Sequence, residues 1–211
     1  MSEEYYLQLY EKGIDWTEIL KEIDDKNHPC LKVTQRLARE NNHGAQNNLG
    51  FLYFKGIGVE QDYRKSFNWY LKSANQNNND AQHNLGFLYR RGIGVEQDYQ
   101  KSFNWYLKSA NQNNLNSQNS VGYMYSNGLG VEQDNKKAIE WYLKSASQNN
   151  LQSQYNLGYM YHNGLGVEQD NKKAIEWYGK ASLNGFDYFE HIKLSEETTY
   201  KSKKEIQQKQ Q

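Results

Sequence analysis

The chain has 211 residues, and its 25 Lys and Arg residues balance 25 Asp and Glu residues, which gives a formal net charge of zero. Nucleic-acid-binding proteins usually carry a basic excess because phosphate neutralisation supplies much of their affinity, so nucleic acid is not expected as a partner. Aromatic residues make up 14% of the chain, which argues against disorder despite its many Asn, Gln and Lys residues.

The opening sequence predicts neither a leader nor a membrane anchor. It has no basic start followed by an apolar run, and no stretch reaches the roughly 18 apolar residues that a membrane helix needs. The single cysteine, Cys30, cannot form an internal disulfide, which is typical of a reducing compartment. We therefore expect an intracellular, cytoplasmic monomer that does not associate with membranes.

Residues 1–44 are predicted to form a degenerate N-terminal capping unit. Ala38 lies at the position that Ala74 holds in the clear repeats, and the segment 10–13 resembles the segment 53–56. Asp15 predicts a helix start. The alternative is a separate small interaction motif.

A period of 36 residues organises the middle of the chain. The pattern Leu/Val-Gly-aromatic-Leu/Met-Tyr occurs four times at this spacing, beginning at Leu49, Leu85, Val121 and Leu157. Each copy is followed by Gly-x-Gly-Val-Glu-Gln-Asp and then by a stretch that contains Trp-Tyr. Repetition at this period is typical of stacked helical units. We predict four repeats over residues 45–185, with units starting near 45, 81, 117 and 153.

Each repeat is predicted to contain two helices. In the second copy, Ala81, Leu85, Leu88 and Tyr89 recur at helical spacing and predict a buried face for a first helix over 81–91.

The second copy also carries signals for the helix ends. Gly92 suits a left-handed C-terminal cap, and Asp98 suits an N-cap. A second helix is predicted over 99–112. It buries Phe103, Tyr106 and Ala110 and directs Trp105 towards the neighbouring repeat.

One glycine of each repeat lies inside a predicted helix, where it costs about 1 kcal/mol relative to alanine. These glycines are Gly50, Gly86, Gly122 and Gly158. Close approach of a neighbouring helix, which the missing side chain allows, would offset the cost.

The repeat pattern Leu-Gly-x-x-Tyr-x-x-Gly-x-Gly-Val-x-x-Asp-x-x-Lys-Ala-x-x-Trp-Tyr-x-Lys resembles the Sel-1-like repeat, a relative of the tetratricopeptide repeat. The resemblance covers about residues 45–185 and implies an all-α, right-handed α-solenoid of tandem helix-turn-helix repeats that acts as a protein-interaction scaffold. Some bacterial members carry one disulfide per repeat, a feature from which a chain with only Cys30 departs.

The repeat pattern ends after Tyr178, where Gly179 replaces the leucine of earlier copies. Residues 186–211 are predicted to form a C-terminal cap followed by a polar tail.

Nothing in the sequence predicts an enzyme, a metal or a cofactor. The five histidines lack metal-ligand spacing and are expected to face solvent. The Glu-Gln-Asp segment recurs in every repeat, whereas a catalytic acid–base pair needs one distinctive environment. Helix capping is therefore the better interpretation of its carboxylates.

A stripe on the first helices is the candidate partner-binding surface. The resemblance places first helices along a concave groove, and the stripe joins a central aromatic residue to neighbours that vary between copies. Aromatic residues and Arg dominate binding energy at protein interfaces. The candidate residues are Phe51, Phe54, Lys55, His83, Phe87, Arg90, Arg91, Tyr123, Tyr155, Tyr159 and His162.

Two interpretations of this stripe stay open. The central aromatics could instead pack as core between adjacent helices. If they line a groove, its more basic first half favours an acidic or C-terminal peptide segment. The predicted function is thus a scaffold that binds other proteins, and the alternative is a small-ligand binder or an enzyme that uses the groove.

Overall fold

The computed structural model describes residues 2–12, 19 and 28–183, and within these ranges it contains ten α-helices and no strand. The predicted helix start at Asp15 and the predicted cap and tail at 186–211 lie outside the described residues. The helices are α1 (Glu3–Glu11), α2 (Pro29–Arg39), α3 (His43–Lys55), α4 (Tyr63–Asn75), α5 (Asn79–Arg91), α6 (Tyr99–Asn111), α7 (Leu115–Asn127), α8 (Asn135–Ala146), α9 (Leu151–Asn163) and α10 (Asn171–Leu183).

The chain divides into two compact units, residues 1–141 and residues 142–211, with the boundary inside α8. Among the described helices of the first unit, each helix from α1 to α6 packs on the one that follows it, and in the second unit α9 packs on α10. Consecutive elements that pack only on their neighbours define a solenoid. The predicted all-α solenoid of 36-residue helix pairs is therefore confirmed.

The connection between the two helices of a repeat is fixed by two caps. Gly92 ends α5 in the left-handed region at φ +66°, and the Asp98 carboxylate accepts a hydrogen bond from the Lys101 backbone N–H at 2.8 Å. Both caps were predicted. The side chain of Gln97 adds a third contact by donating to the Arg90 carbonyl at 2.8 Å. The Glu-Gln-Asp segment thus caps the helix before it and the helix after it.

The connection between repeats depends on a pair of asparagines. Asn77 adopts φ +66°, a conformation that Asn tolerates better than most residues. Asn78 then caps α5, its side-chain oxygen accepting from the Ala81 N–H at 2.8 Å. Asn41, Asn113 and Asn149 repeat the positive φ of Asn77. Asparagines therefore follow the second helix of one repeat and start the first helix of the next.

Buried glutamines join consecutive repeats. Gln82 is only 2% exposed, and its amide nitrogen donates to the Ala74 carbonyl at 3.3 Å. Its amide oxygen accepts from Gln112 of the next connection at 2.7 Å. Gln76 donates in the same way to Gln46 at 2.7 Å. Because buried polar groups are costly when unpaired, these hydrogen bonds favour one register of stacking.

Hydrophobic clusters of buried side chains form the core of the first unit. Leu85 and Leu88 are fully buried, as predicted. Tyr89, also predicted to be buried, is instead half-buried, with its ring 5.4 Å from that of Phe67. Polar Gln82 joins the buried face of α5, which hydrophobic periodicity could not reveal.

Trp105 packs where it was predicted. It packs against a cluster that joins Tyr70 and Ala74 of the preceding repeat to Ala81 and Leu85 of its own repeat, and it is half-buried rather than enclosed. Trp105 thus places its ring at the junction between its own repeat and the repeat before it.

The glycine inside each first helix makes room for a tyrosine ring. A Cβ atom on Gly86 would lie 2.6 Å from Cδ1 of Tyr106, and a Cβ on Gly50 would lie 2.6 Å from Cδ1 of Tyr70. Real Cβ atoms do not approach ring carbons this closely. The predicted close approach is therefore present, and it is made by the paired second helix of the same repeat.

We predict that Gly86→Ala lowers the free energy of unfolding by about 1–3 kcal/mol, because overlap with a rigid ring outweighs the gain of roughly 1 kcal/mol in helix propensity. Gly179 is the matched control, since a Cβ there meets nothing within 4 Å. Gly179→Ala should stabilise by about 1 kcal/mol. Urea melts check both, and a stabilised Gly86→Ala would contradict the packing described.

We also predict an acid limb of stability that depends on the N-cap aspartates. The backbone hydrogen bond from Lys101, together with its ammonium group, lowers the pKa of Asp98. A carboxyl with a lowered folded-state pKa stabilises the fold above its unfolded pKa of about 3.9, and this contribution is lost as pH falls through the folded value. Asp98→Asn caps without titrating, so its melting temperature should fall less than that of the wild type below about pH 4. Parallel curves for the two proteins would refute the assignment.

Candidate functional site

Five of the predicted residues line one pocket between α3 and α5. Phe51, Phe54, Lys55, His83 and Phe87 surround a cavity of about 230 Å³. Tyr70, Asn84 and Leu88 complete the lining. These three were not predicted, although Tyr70 is the tyrosine of the recurring Trp-Tyr pair and Asn84 lies one position from the His83 of the stripe.

The walls of the pocket are aromatic. The rings of Phe54 and Phe87 meet edge to face with centroids 6.1 Å apart, and Tyr63 lies 5.4 Å from Phe54. Such pairs add to the stability supplied by burial alone. Lys55 is exposed at the rim, with its Nζ 5.6 Å from the centroid of Phe54. The pocket therefore offers an apolar interior next to a positive charge.

His83 faces the interior rather than solvent, which corrects the expectation for histidines at this position. The ring is half-buried, its centroid lies 5.3 Å from that of Tyr106, and its Nδ1 lies 2.8 Å from Oγ of Ser117. Burial, and then the nearby positive charge of Arg90, lower the pKa of His83 to about 4. The imidazole is thus neutral at neutral pH.

Three more predicted residues continue the stripe along α5 and α7. The Arg90 guanidinium carbon lies 5.7 Å from the ring centroid of Tyr123, a distance that permits a cation–π contact. Nε of Arg90 is buried without a hydrogen-bond partner among the described residues. Arg91 is exposed, as is 40% of Tyr123. Arg91 and Tyr123 are therefore the accessible members of this part of the stripe.

The remaining predicted residues lie on α9 in the second unit. Tyr155 is half-buried with its ring centroid 5.3 Å from that of Tyr178, and Tyr159 is 50% exposed. His162 is exposed, with Nδ1 3.2 Å from the side-chain oxygen of Asn171. These three residues share one helix of the second unit.

The central aromatics differ in burial from repeat to repeat. Phe51 and Phe87 are half-buried and each packs against two neighbouring cores. Tyr123 and Tyr159, which add a hydroxyl to the ring, are 40% and 50% exposed. The core interpretation thus applies to the two phenylalanines in part, and the surface interpretation applies to the two tyrosines.

The described residues contain no group of three His, Cys, Asp or Glu side chains placed to hold a metal ion. None of the described helices combines the length and apolar character that a membrane crossing requires. The carboxylates of the recurring Asp62, Asp98, Asp134 and Asp170 are each bound by a lysine three residues later. In this arrangement each aspartate caps the helix that follows it.

A family model described as Sel1 repeat matches residues 43–78, 79–114, 115–150 and 151–186. A Sel1 repeat protein from Oxalobacter formigenes is 31% identical with a TM-score of 0.74, over 88% of this chain and 71% of that one. The protein c5321, a protective antigen of uropathogenic Escherichia coli with an SLR fold, is 34% identical with a TM-score of 0.77. That alignment covers 88% of this chain, which spans only 41% of the E. coli protein. A search of curated proteins finds no match.

We predict that His83 titrates with a midpoint of about 4, because folding desolvates its ring. Since the unfolded state binds this proton at about pH 6.5, the fold should lose stability as the pH falls from about 6.5 to about 4. His83→Asn is the matched control, because Asn47 and Asn119 hold the same position in neighbouring repeats. NMR titration of the imidazole and melts of both proteins check this, and a midpoint near 6.5 would contradict the burial.

Proposed function

We propose that this chain, which belongs to the Sel1 repeat family, is an adaptor that binds a peptide segment of a partner protein. Members of this family are generally protein–protein interaction scaffolds and typically lack enzymatic activity. The segment lies along the stripe formed by α3, α5 and α7. One apolar side chain of the partner enters the pocket between Phe54 and Phe87.

The aromatic pocket with a basic rim is the observation that carries this proposal. Anchor residues at protein interfaces are large side chains that fill a desolvated pocket, and they supply most of the binding energy. A cavity of about 230 Å³ has room for one leucine, methionine or phenylalanine side chain.

The charges at the rim suggest what flanks the anchor. Lys55 and Arg91 are exposed, and neither makes an ion pair with a carboxylate in the described residues. Unpaired exposed cations favour an acidic partner through faster encounter and through complementarity. We therefore propose an anchor with Asp, Glu or a C-terminal carboxylate beside it.

An enzyme or a small-ligand site has weaker support. Pockets for small ligands usually have volumes of about 300–1,000 Å³ and contain a few convergent polar groups. The cavity here is smaller, at about 230 Å³, and His83 is a neutral imidazole that already contacts Ser117. The Ser117 hydroxyl beside it is fully buried and does not line the cavity.

Two triple variants test the proposal. Each replaces one lysine, one arginine and one tyrosine, in one variant on the stripe and in the other on the second helices. The groove variant is Lys55→Ala, Arg91→Ala and Tyr123→Ala, and the control is Lys136→Ala, Arg64→Ala and Tyr99→Ala on second helices. All six side chains are exposed, so circular dichroism should show equal folding. We expect affinity capture with quantitative mass spectrometry to find partners retained by the wild type and the control and depleted at least about tenfold by the groove variant.

Overlapping peptides of a captured partner then separate a linear segment from a folded domain. One peptide with an apolar residue beside an acidic one should bind the wild type, and its binding should weaken in the groove variant. Equal capture by the two triple variants would show that the stripe is not the binding surface.

A further inference from the structure

A second cleft opens where the connection between α4 and α5 faces α6. It has a volume of about 430 Å³, and its lining shares no residue with the pocket between Phe54 and Phe87. Its polar, aromatic and basic lining residues are Asn75, Asn77, Gln82, Trp105, Lys108 and Asn111. The repeat packing explains how these side chains come together, but it leaves much of their hydrogen-bonding capacity unused.

Carboxamide groups surround this cleft. Asn75 and Asn111 are exposed, and their side chains make no hydrogen bond within the described part of the chain. The oxygen of Asn77 accepts from Gln82 at 3.2 Å and from Gln112 at 3.1 Å, which leaves its amide N–H groups free to donate. A carboxamide carries a donor beside an acceptor, the same pair that a peptide group presents.

The cleft also contains one aromatic ring and one cation. Trp105 packs on the cluster at the junction with the preceding repeat, and Nζ of Lys108 lies 4.4 Å from the centroid of its indole. The lysine therefore occupies a face of the ring on which a sugar would have to stack. Its charge has no carboxylate partner among the described residues, and it is available to an anion.

We propose that this cleft is a second binding site, which holds an extended acidic peptide segment by its main chain. The carboxamides of Asn75 and Asn111 pair with main-chain N–H and C=O groups, and the Asn77 amide donates to a further carbonyl. Lys108 pairs with a carboxylate of the segment. Recognition by the main chain tolerates many sequences, so the acidic residue supplies the selectivity.

The same residue types recur at the junction before it. Asn41, Gln46, Trp69 and Lys72 take the places of Asn77, Gln82, Trp105 and Lys108, and Nζ of Lys72 lies 4.4 Å from the Trp69 centroid. Arg39 stands where the next repeat has Asn75, which adds a second cation. Similar residues at two junctions of one unit would let an acidic segment gain affinity from both.

The test uses the full chain labelled with nitrogen-15 and a fluorescent, end-blocked peptide of four Thr-Glu pairs. Threonine favours an extended backbone, and alternation places the glutamates on one side. We expect the peptide to shift the indole N–H resonance of Trp105 and the side-chain amide resonances of Asn75 and Asn111. In fluorescence anisotropy, Asn75→Ala with Asn111→Ala should weaken binding at least about tenfold, and Lys108→Gln should weaken it and reduce its salt dependence.

The groove variant of the proposed adaptor site is the control. Lys55→Ala, Arg91→Ala and Tyr123→Ala should leave binding of the Thr-Glu peptide unchanged, so that failure of one site is distinguished from failure of the other. No binding, equal binding by the Asn75→Ala and Asn111→Ala protein, or equal binding of a Thr-Lys peptide would overturn the proposal. Cellohexaose shifting the same resonances in place of the peptide would overturn it in favour of a carbohydrate site.

Discussion

The contact between a first-helix glycine and a second-helix tyrosine sets the geometry on which the other features depend. Because a Cβ on Gly50 would overlap the Tyr70 ring, the two helices of that repeat approach more closely than other residues would allow. Tyr70 also lines the aromatic pocket. In the next repeat Tyr106 contacts both Gly86 and His83. The residue that fixes the helix pair therefore also shapes the surface on which the proposed partner binds.

A second constraint acts between repeats, and it is polar. Apolar packing between similar helices would tolerate a shift of register, whereas Gln82 has a buried amide whose partners, Ala74 and Gln112, exist in one register only. Loss of these partners would leave a polar group unpaired in the interior, which costs about 1–3 kcal/mol. The polar composition of the chain thus contributes to the specificity of stacking.

The sequence predicted the features that arise from local chemistry repeated at a fixed period. The left-handed cap at Gly92, the N-cap at Asp98 and the buried leucines of α5 depend on residues within a few positions of one another. The burial of His83 could not be predicted in this way, because its neighbours Tyr106 and Ser117 belong to other helices. Gln97 and Asn78 were missed for a different reason, since polar residues in a connection resemble solvent-facing ones until the carbonyl or amide that they cap is known.

The glutamine contacts between repeats have a consequence for how the chain reaches its fold. They join residues separated by only 30 positions, as do the hydrogen bonds from Ser73 to His43 and from Ser109 to Asn79. Chains whose contacts are this local fold fast, because little loop entropy is lost before a contact forms. Any repeat can serve as the nucleus, and each neighbour then adds to a surface already in place. Insertion or deletion of a whole 36-residue block would preserve every type of junction, so the length of such an array can change in evolution without a new fold having to arise.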